Sequence, residues 1–318
     1  MSEERKYVFG PVPSRRLGLS LGVDIVEGGG EKGVPSKVCT LDCVYCQLGR
    51  TGTKTIERKE YVSVEAVLGE LKARFAEGVE ADFVTISGSG EPTLNVRLGE
   101  IVDGIKRLTN IPVAILTNGT LLYMAEVRAD CAKADVVLPS LDAGDDETFE
   151  KINRPHRDIS IEKLISGLCA FRDEFAGQIW LEVFFVGGLN IGDEQIHKIR
   201  DAIGRIGPDK VQVNTAVRPT AERGVSRVES EKLRAIAAKL GERCEVVADF
   251  SAGRGGGDVD VSAEEVLSML KRRPCSLDDI CTGLGIELKE AERYITHLQE
   301  EGVVYLVERD GIVFFRVK

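Results

Sequence analysis

No apolar run in this chain approaches the length of a membrane span, and the opening Met1–Lys6 is too polar for a signal peptide. The expected location is therefore the cytoplasm, where thiols stay reduced, so the eight cysteines do not imply a disulfide framework. Basic charge is in deficit: 42 Lys and Arg against 52 Asp and Glu leave a net charge of -10. That excludes a general nucleic-acid binder with a broad basic footprint, though not a local basic site. Histidine is scarce, at three residues, so each is worth locating. A disordered tail is also missing, because apolar (43%) and charged (30%) fractions are ordinary for a folded chain. At 318 residues the chain can form one large domain and a small one.

Three cysteines share one stretch, Lys37-Val38-Cys39-Thr40-Leu41-Asp42-Cys43-Val44-Tyr45-Cys46-Gln47, spaced C-x3-C-x2-C. Thiolates this close in a loop can converge on one inorganic centre. Zinc usually takes four ligands, and no further Cys or His lies near this loop. A cube held wholly by four cysteines has the same shortage. A tripod remains: three irons on thiolates and one open to a ligand with an amine and a carboxylate, which S-adenosylmethionine (SAM) possesses. Three unrelated cysteines, or a zinc knot completed by a remote ligand, are the alternatives that spacing leaves open. Cys131, Cys169, Cys244, Cys275 and Cys281 are scattered and read mostly as small core residues.

With Tyr45 just before the last cysteine, the spacing resembles the signature of the radical SAM superfamily. The resemblance implies a [4Fe-4S] cluster on Cys39, Cys43 and Cys46, SAM as its partner, and a reducing electron donor. It also implies a 5′-deoxyadenosyl radical that abstracts a substrate hydrogen. The segment Gly10-Pro11-Val12-Pro13-Ser14-Arg15-Arg16 and the cluster surroundings are similar to proteins grouped with the tRNA wyosine-base synthases. In those enzymes, as the resemblance implies, a second cluster sits on cysteines upstream of the SAM motif. No cysteine precedes Cys39, so only the radical SAM machinery carries over.

Beyond the cluster, apolar strands alternate with amphipathic helices. Strands are expected at 83–86, 113–116, 136–138, 179–186, 211–213 and 245–248, after a first strand at 19–26. Helices are expected at 64–75, 98–108, 121–134, 161–175, 196–206 and 233–240. Six or seven parallel units fall short of a full eight-fold barrel. The fold class is therefore α/β, a partial parallel (βα)6-type TIM barrel. Phe9–Arg16, with two prolines and a glycine, reads as turn-rich, and the glycines at 28–33 as a loop.

In such folds the strand ends carry the chemistry. Ser87-Gly88-Ser89-Gly90-Glu91-Pro92 resembles the superfamily's Gly-Gly-Glu-Pro motif, with Ser89 replacing the first glycine. That implies Ser89, Gly90 and Glu91 as holders of the SAM amine. Asn118, Ser140, Asp142 and Asn190, at the next strand ends, are further SAM-pocket candidates; turn and cap chemistry is the plainer alternative. Arg15, Arg16, Arg50, Lys54, Arg58, Lys59, Arg154, His156, Arg157, Arg218, Arg223 and Arg227 fall in loops near the same mouth. They point to an anionic substrate, with Arg154, His156 and Arg218 as candidate substrate-side residues.

The radical SAM core is expected over 1–250, a glycine-rich linker over 251–260 and a winged-helix-like domain over 261–318. Three helices and a hairpin turning at Arg309-Asp310-Gly311 fit that shape. Glu290, Glu292, Glu300 and Glu301 on the third helix oppose DNA phosphates, so DNA is not the expected partner. Three functions are compatible: modification of tRNA or a nucleotide, modification of a peptide or protein docked by the tail, and a SAM-responsive DNA-binding regulator.

Overall fold

The computed structural model describes residues 7–26, 37–222, 224–247 and 262–318. The glycine stretches expected as a loop (28–33) and a linker (251–260), and Arg223, lie outside the described residues. The chain forms β1 (Val8–Ser14), β2 (Gly18–Asp24), the short parallel pair β3 (Val38–Cys39) and β4 (Thr53–Lys54), α1 (Val64–Ala76), β5 (Phe83–Ser87) and α2 (Leu98–Leu108). Then come β6 (Val113–Leu116), α3 (Ala125–Cys131), β7 (Val136–Leu138), α4 (Asp146–Ile152), α5 (Ile161–Glu174) and β8 (Gln178–Phe185). The series closes with α6 (Asp193–Ile206), β9 (Lys210–Thr215), α7 (Ser230–Leu240) and β10 (Cys244–Val246).

One open sheet runs β1-β2-β5-β6-β7-β8-β9-β10, parallel except for the β1–β2 pair. Side chains alternate across it, as the pleat requires. Leu21, Val23, Val84, Ile86, Ile115, Leu181, Val183, Val211 and Val213 pack with the helices in one continuous core. On the other face Leu17, Ala114, Val136, Leu138 and Trp180, joined by Phe83 and Leu116, make an apolar floor. Glu182 of β8 and Asn214 of β9 share that concave face, where Asn214 Nδ2 donates to Glu182 Oε1 at 2.9 Å.

The expected partial barrel is present, with seven parallel strands. Three details differ. The proline-rich start is β1, an edge strand, which is where a sheet tolerates residues without an N–H. The helix expected over 121–134 is confined to α3, because Leu121–Tyr123 form a turn in which Leu121 and Leu122 are buried. Helix α4 is unannounced: it has seven residues, and its main signal is Asp145, whose side chain accepts Thr148 N–H at 2.8 Å.

The C-terminal unit is α8 (Ala263–Arg272), α9 (Leu277–Leu284), α10 (Leu288–Glu300) and the antiparallel hairpin β11 (Val304–Arg309) and β12 (Ile312–Val317). Capping boxes at Ser262/Glu265 and Ser276/Asp279 start the first two helices. Val266, Met269, Ile280, Ala291, Ile295, Leu298 and Phe315 build its own core, against which Val12 of β1 packs. Arg309 anchors the hairpin, donating to Thr220 Oγ1 at 3.1 Å and Val225 O at 2.8 Å.

Helix α5 lies directly on the turn after β6: a Cβ on Gly167 would sit 2.6 Å from Tyr123 N. Gly167→Val should cost about 1–3 kcal/mol by overpacking against unyielding backbone. Urea titration should show a lower midpoint with an unchanged slope; an unmoved midpoint would contradict this packing.

Candidate active site

Residues 37–56 form a loop that covers the C-terminal end of the sheet. Its shape is held by a segment distant in sequence. Asp42 N donates to Asn153 O (2.9 Å), Val44 N to Ile152 O (2.9 Å) and His156 N to Thr40 O (2.8 Å). Tyr45 stacks on Phe184 with ring centroids 3.9 Å apart. Cys39, Cys43 and Cys46 are free thiols in this loop, Cys39 buried and the others half-buried. Each sulfur meets a side-chain N–H donor: Asn118 Nδ2 at 3.5 Å from Cys39, Asn153 Nδ2 at 3.4 Å from Cys43, and Lys37 Nζ at 3.0 Å from Cys46. Burial pushes the Cys39 thiol up to about 11 and raises Cys43 further. Burial works against the Lys37 charge, yet the Cys46, Cys39 and Cys43 sulfurs together outweigh it and hold the ammonium on. Among the described residues no three Cys, His, Asp or Glu side chains are placed for a single metal ion. A cube differs in its demand, since each thiolate meets a different iron.

The loop after β5 abuts the cysteines. Glu91 N donates to Val38 O at 3.0 Å, and a Cβ on Gly90 would come within 1.8 Å of that oxygen. Only glycine fits there. Glu91 is buried and accepts four hydrogen bonds, from Thr93 N, Thr93 Oγ1, Thr117 Oγ1 and Asn118 N. Burial raises its pKa against the pull of those donors. Its carboxylate is thus engaged in joining two strand ends, and Ser89 N and Oγ donate to Asp24 Oδ2 at the end of β2. Asn118 turns its amide to the cysteine loop, donating also to Thr40 Oγ1 at 2.8 Å.

The next strand ends carry a second buried carboxylate. Asp142 accepts from Tyr45 Oη (2.5 Å), Asn153 Nδ2 (2.7 Å) and Phe184 N (2.9 Å). Burial moves it up to about 6, against those hydrogen bonds. Asn190 is also buried and fully engaged, donating to Asp142 O and Phe184 O and accepting from Val186 N. Both residues therefore frame the mouth from within the framework. Ser140 is half-buried where β7 meets Glu182 through an isolated bridge.

The basic residues expected around one mouth divide into groups. Arg50 and Arg154 pair with Asp42 and Glu222 over the cysteine loop, and Lys54 donates to the carbonyls of Arg154 and Pro155. Arg58 pins the 93–95 turn and pairs with Asp130. His156 accepts from Asp158 N in its own turn. Arg154 and His156 thus sit in the clamp on the cysteine loop, whereas Arg15, Arg16 and Arg218 gather on the concave side.

The family model of the radical SAM superfamily matches residues 34–203, which include the cysteine loop, the Ser89–Glu91 loop, Asn118, Asp142, Asn153 and Asn190. The chain belongs to the radical SAM superfamily. It is 32% identical over 314 residues to a UPF0026 protein of Methanocaldococcus jannaschii, covering 96% of this chain and 94% of that one. It is also 35% identical over 315 residues to a Brachyspira hyodysenteriae protein named GTPase Obg, covering 98% of this chain. The chain spans 45% of that relative's length. Among solved structures, Streptococcus suis SuiB bound to its precursor peptide SuiA superposes with a TM-score of 0.53 at 15% identity, covering 73% of this chain and 50% of that one.

As a radical SAM enzyme the protein uses a [4Fe-4S] cluster and SAM. The donor set fits: buried thiols need a compensating positive charge to ionise, and Lys37 alone faces three of them. Sequence reasoning missed Asn153, Lys37 and Asp24 as parts of this site. Asn153 was visible only as the neighbour of Arg154, since nothing local signals that an α4 cap reaches Cys43.

Gly90→Ala should force the two loops apart, and reconstituted protein should bind SAM at least tenfold more weakly; unchanged affinity would refute the close approach. Asp142 gives a pH test. Its folded pKa, about 6, lies above the ordinary aspartate value of 3.8, so its contribution is present below 3.8 and lost as pH rises through 6. In cluster-free protein, Asp142→Asn should gain stability relative to wild type between pH 4.5 and 7.5, and parallel profiles would exclude a raised carboxyl.

Proposed function

We propose that Cys39, Cys43 and Cys46 hold the cluster, that Ser89, Gly90 and Glu91 shape the seat of the SAM amine, and that the enzyme modifies a nucleotide, free or within tRNA. The observation that carries the cluster assignment is the N–H donor on each of the three sulfurs, drawn from three different parts of the chain. Such donors stabilise thiolate charge and tune a cluster's potential. When bound, cluster and SAM supply a 5′-deoxyadenosyl radical able to take hydrogen from an unactivated carbon.

The protein's own residues do the positioning. Glu91 fixes the backbone of 88–91 by fastening itself to Thr117 and Asn118, so the amine seat and the cysteine loop move as one. Ser89, in place of a glycine, has its hydroxyl directed to Asp24, which leaves its carbonyl for the SAM amine. Asn118, Ser140, Asp142 and Asn190 complete the surroundings, the last two by holding strand ends in place. An anionic substrate is supported by Arg15, Arg16 and Arg218 on the concave side. We read residues 261–318 as a winged-helix-like docking unit and residues 1–250 as the radical SAM core.

Anaerobic reconstitution of wild-type protein should give a [4Fe-4S] chromophore and cleavage of SAM to 5′-deoxyadenosine. The variant with all three cysteines changed to alanine should give neither, and iron uptake equal to wild type would end the assignment. Mass spectrometry of nucleosides from wild-type and deletion cells should reveal a modified nucleoside absent from the deletion strain. Identical nucleoside profiles alongside an altered peptide would favour a peptide substrate instead.

A further inference from the structure

The segment that follows β9 lies beyond the superfamily match and is fastened on two sides, to the cysteine loop and to the C-terminal hairpin. Toward the cysteines, Glu222 N donates to Val44 O at 3.1 Å. The Glu222 carboxylate meets Arg154 Nη1 at 2.8 Å and also Arg50, and both arginines reach Asp42 as well. The Arg154 contact holds that carboxyl below its ordinary range, so it is charged at neutral pH. Val225 and Ala216 cover Val44, which is 5% exposed, in one apolar cluster with Ile152 and Phe184. Val44 stands between Cys43 and Cys46, and Asp42 directly precedes Cys43.

Toward the C-terminal unit, the contacts converge on Arg309 of β11. Its Nη1 donates to Thr220 Oγ1 at 3.1 Å, and that hydroxyl donates onward to Glu222 O at 2.8 Å. Its Nη2 donates to Val225 O at 2.8 Å. One guanidinium therefore grips both ends of the stretch that bears Glu222 and Val225, a task for which its rigid planar fork is suited. Arg218 adds an ion pair from the same segment to Asp279 Oδ1 at 2.7 Å. Strand β12 borders the cysteine loop directly, since a Cβ on Gly49 would lie 3.0 Å from Arg316 Nη2. Exposed ion pairs contribute little stability alone, so the backbone bond and the apolar cover on Val44 do most of the holding.

We propose that Arg309 is a positioning residue for the cluster: it presses the segment after β9 onto Val44, so that the seat of Cys43 and Cys46 depends on the C-terminal hairpin. This rests on the cluster assignment above and gives the C-terminal unit a part in it. The turn between these two cysteines has little internal bonding to fix it, namely Cys46 N to Cys43 O at 3.1 Å and Gly49 N to Cys46 O at 3.3 Å. Its position is set from outside, by Ile152 and Asn153 on one flank and by Glu222 and Val225 on the other. Arg309 governs the second flank through Thr220 and Val225. A clasp that served only to attach the hairpin would not need the Thr220 hydroxyl to continue to Glu222, whose N–H holds Val44 O. Displacing the hairpin would therefore loosen the cluster's seat with no contact to the cysteines themselves.

Hydrogen–deuterium exchange on the cluster-free full chain tests this. Arg309→Ala should speed exchange in the peptide covering 42–47 about tenfold while leaving α10 and the central strands unchanged. The Val44 amide, bonded to Ile152 O, reports the change. Thr220→Val removes only the hydroxyl link and should move the same peptide in the same direction by a smaller factor. Glu308→Gln, at an exposed neighbour on β11, should move nothing. Unchanged exchange over 42–47 in Arg309→Ala overturns the proposal. Faster exchange spread evenly over the C-terminal unit does so too, because a residue holding only that fold would give it. In anaerobically reconstituted protein, Arg309→Ala should keep the wild-type iron content, shift the electron paramagnetic resonance of the reduced cluster and raise KM for SAM severalfold. A signal and a KM equal to wild type would also overturn it. Should wild-type protein take up no iron, the cluster assignment falls while the order of exchange among the variants stands.

Discussion

The backbone bond from Glu91 N–H to Val38 O is the contact on which the site depends. It joins the cysteine loop to the end of β5 with no side chain between them, which only Gly90 permits. Glu91 extends the junction to the end of β6 through Thr117 and Asn118. Three pieces that belong to different βα units are thereby placed in one frame. Asp142 performs the same task on the other flank, joining Tyr45, Asn153 and Phe184. Both carboxylates are buried, and both would have to be abandoned together for the loop to leave the sheet.

The charges near the cysteines are arranged by depth. Anionic groups lie inside, with Glu91 and Asp142 buried beneath the loop. Lys37 stands at the sulfurs, and Arg50 and Arg154 lie farther out on Asp42 and Glu222. An inner framework of this sign favours cationic occupants, which suits both an iron centre and the amine of SAM. The concave side opposite carries the reverse sign, in Arg15, Arg16, Arg218 and Arg273. One mouth therefore presents two electrostatic halves.

Much of the fold was legible because parallel strands buried on both faces are written as apolar runs. All seven parallel strands appear within two residues of where those runs place them. The edge strand β1 was obscured by its prolines, and α4 by being too short for a helical period to emerge. Within the candidate site, Cys39, Cys43, Cys46 and Ser89–Glu91 could be proposed from the sequence because their spacing is local. Asn118, Asp142 and Asn190 were rightly placed at strand ends, but hydrogen bonds that occupy their side chains depend on partners tens of residues away. Asn153 and Arg273 were illegible for the same reason: an asparagine ending a short helix and an arginine ending another look like ordinary caps until the chain is folded.

The sheet is open, and an open sheet has two borders that could recruit a strand from another molecule. One border is β10, only three residues long. The other is β1, which combines Pro11 and Pro13 with α8 and α9 packed against it, Val12 entering their core. Both borders are thus blunted without the barrel having to close. Severing the chain within 251–260 would uncover an apolar flank on β1, and the shortened protein should be prone to self-association even with its iron site intact.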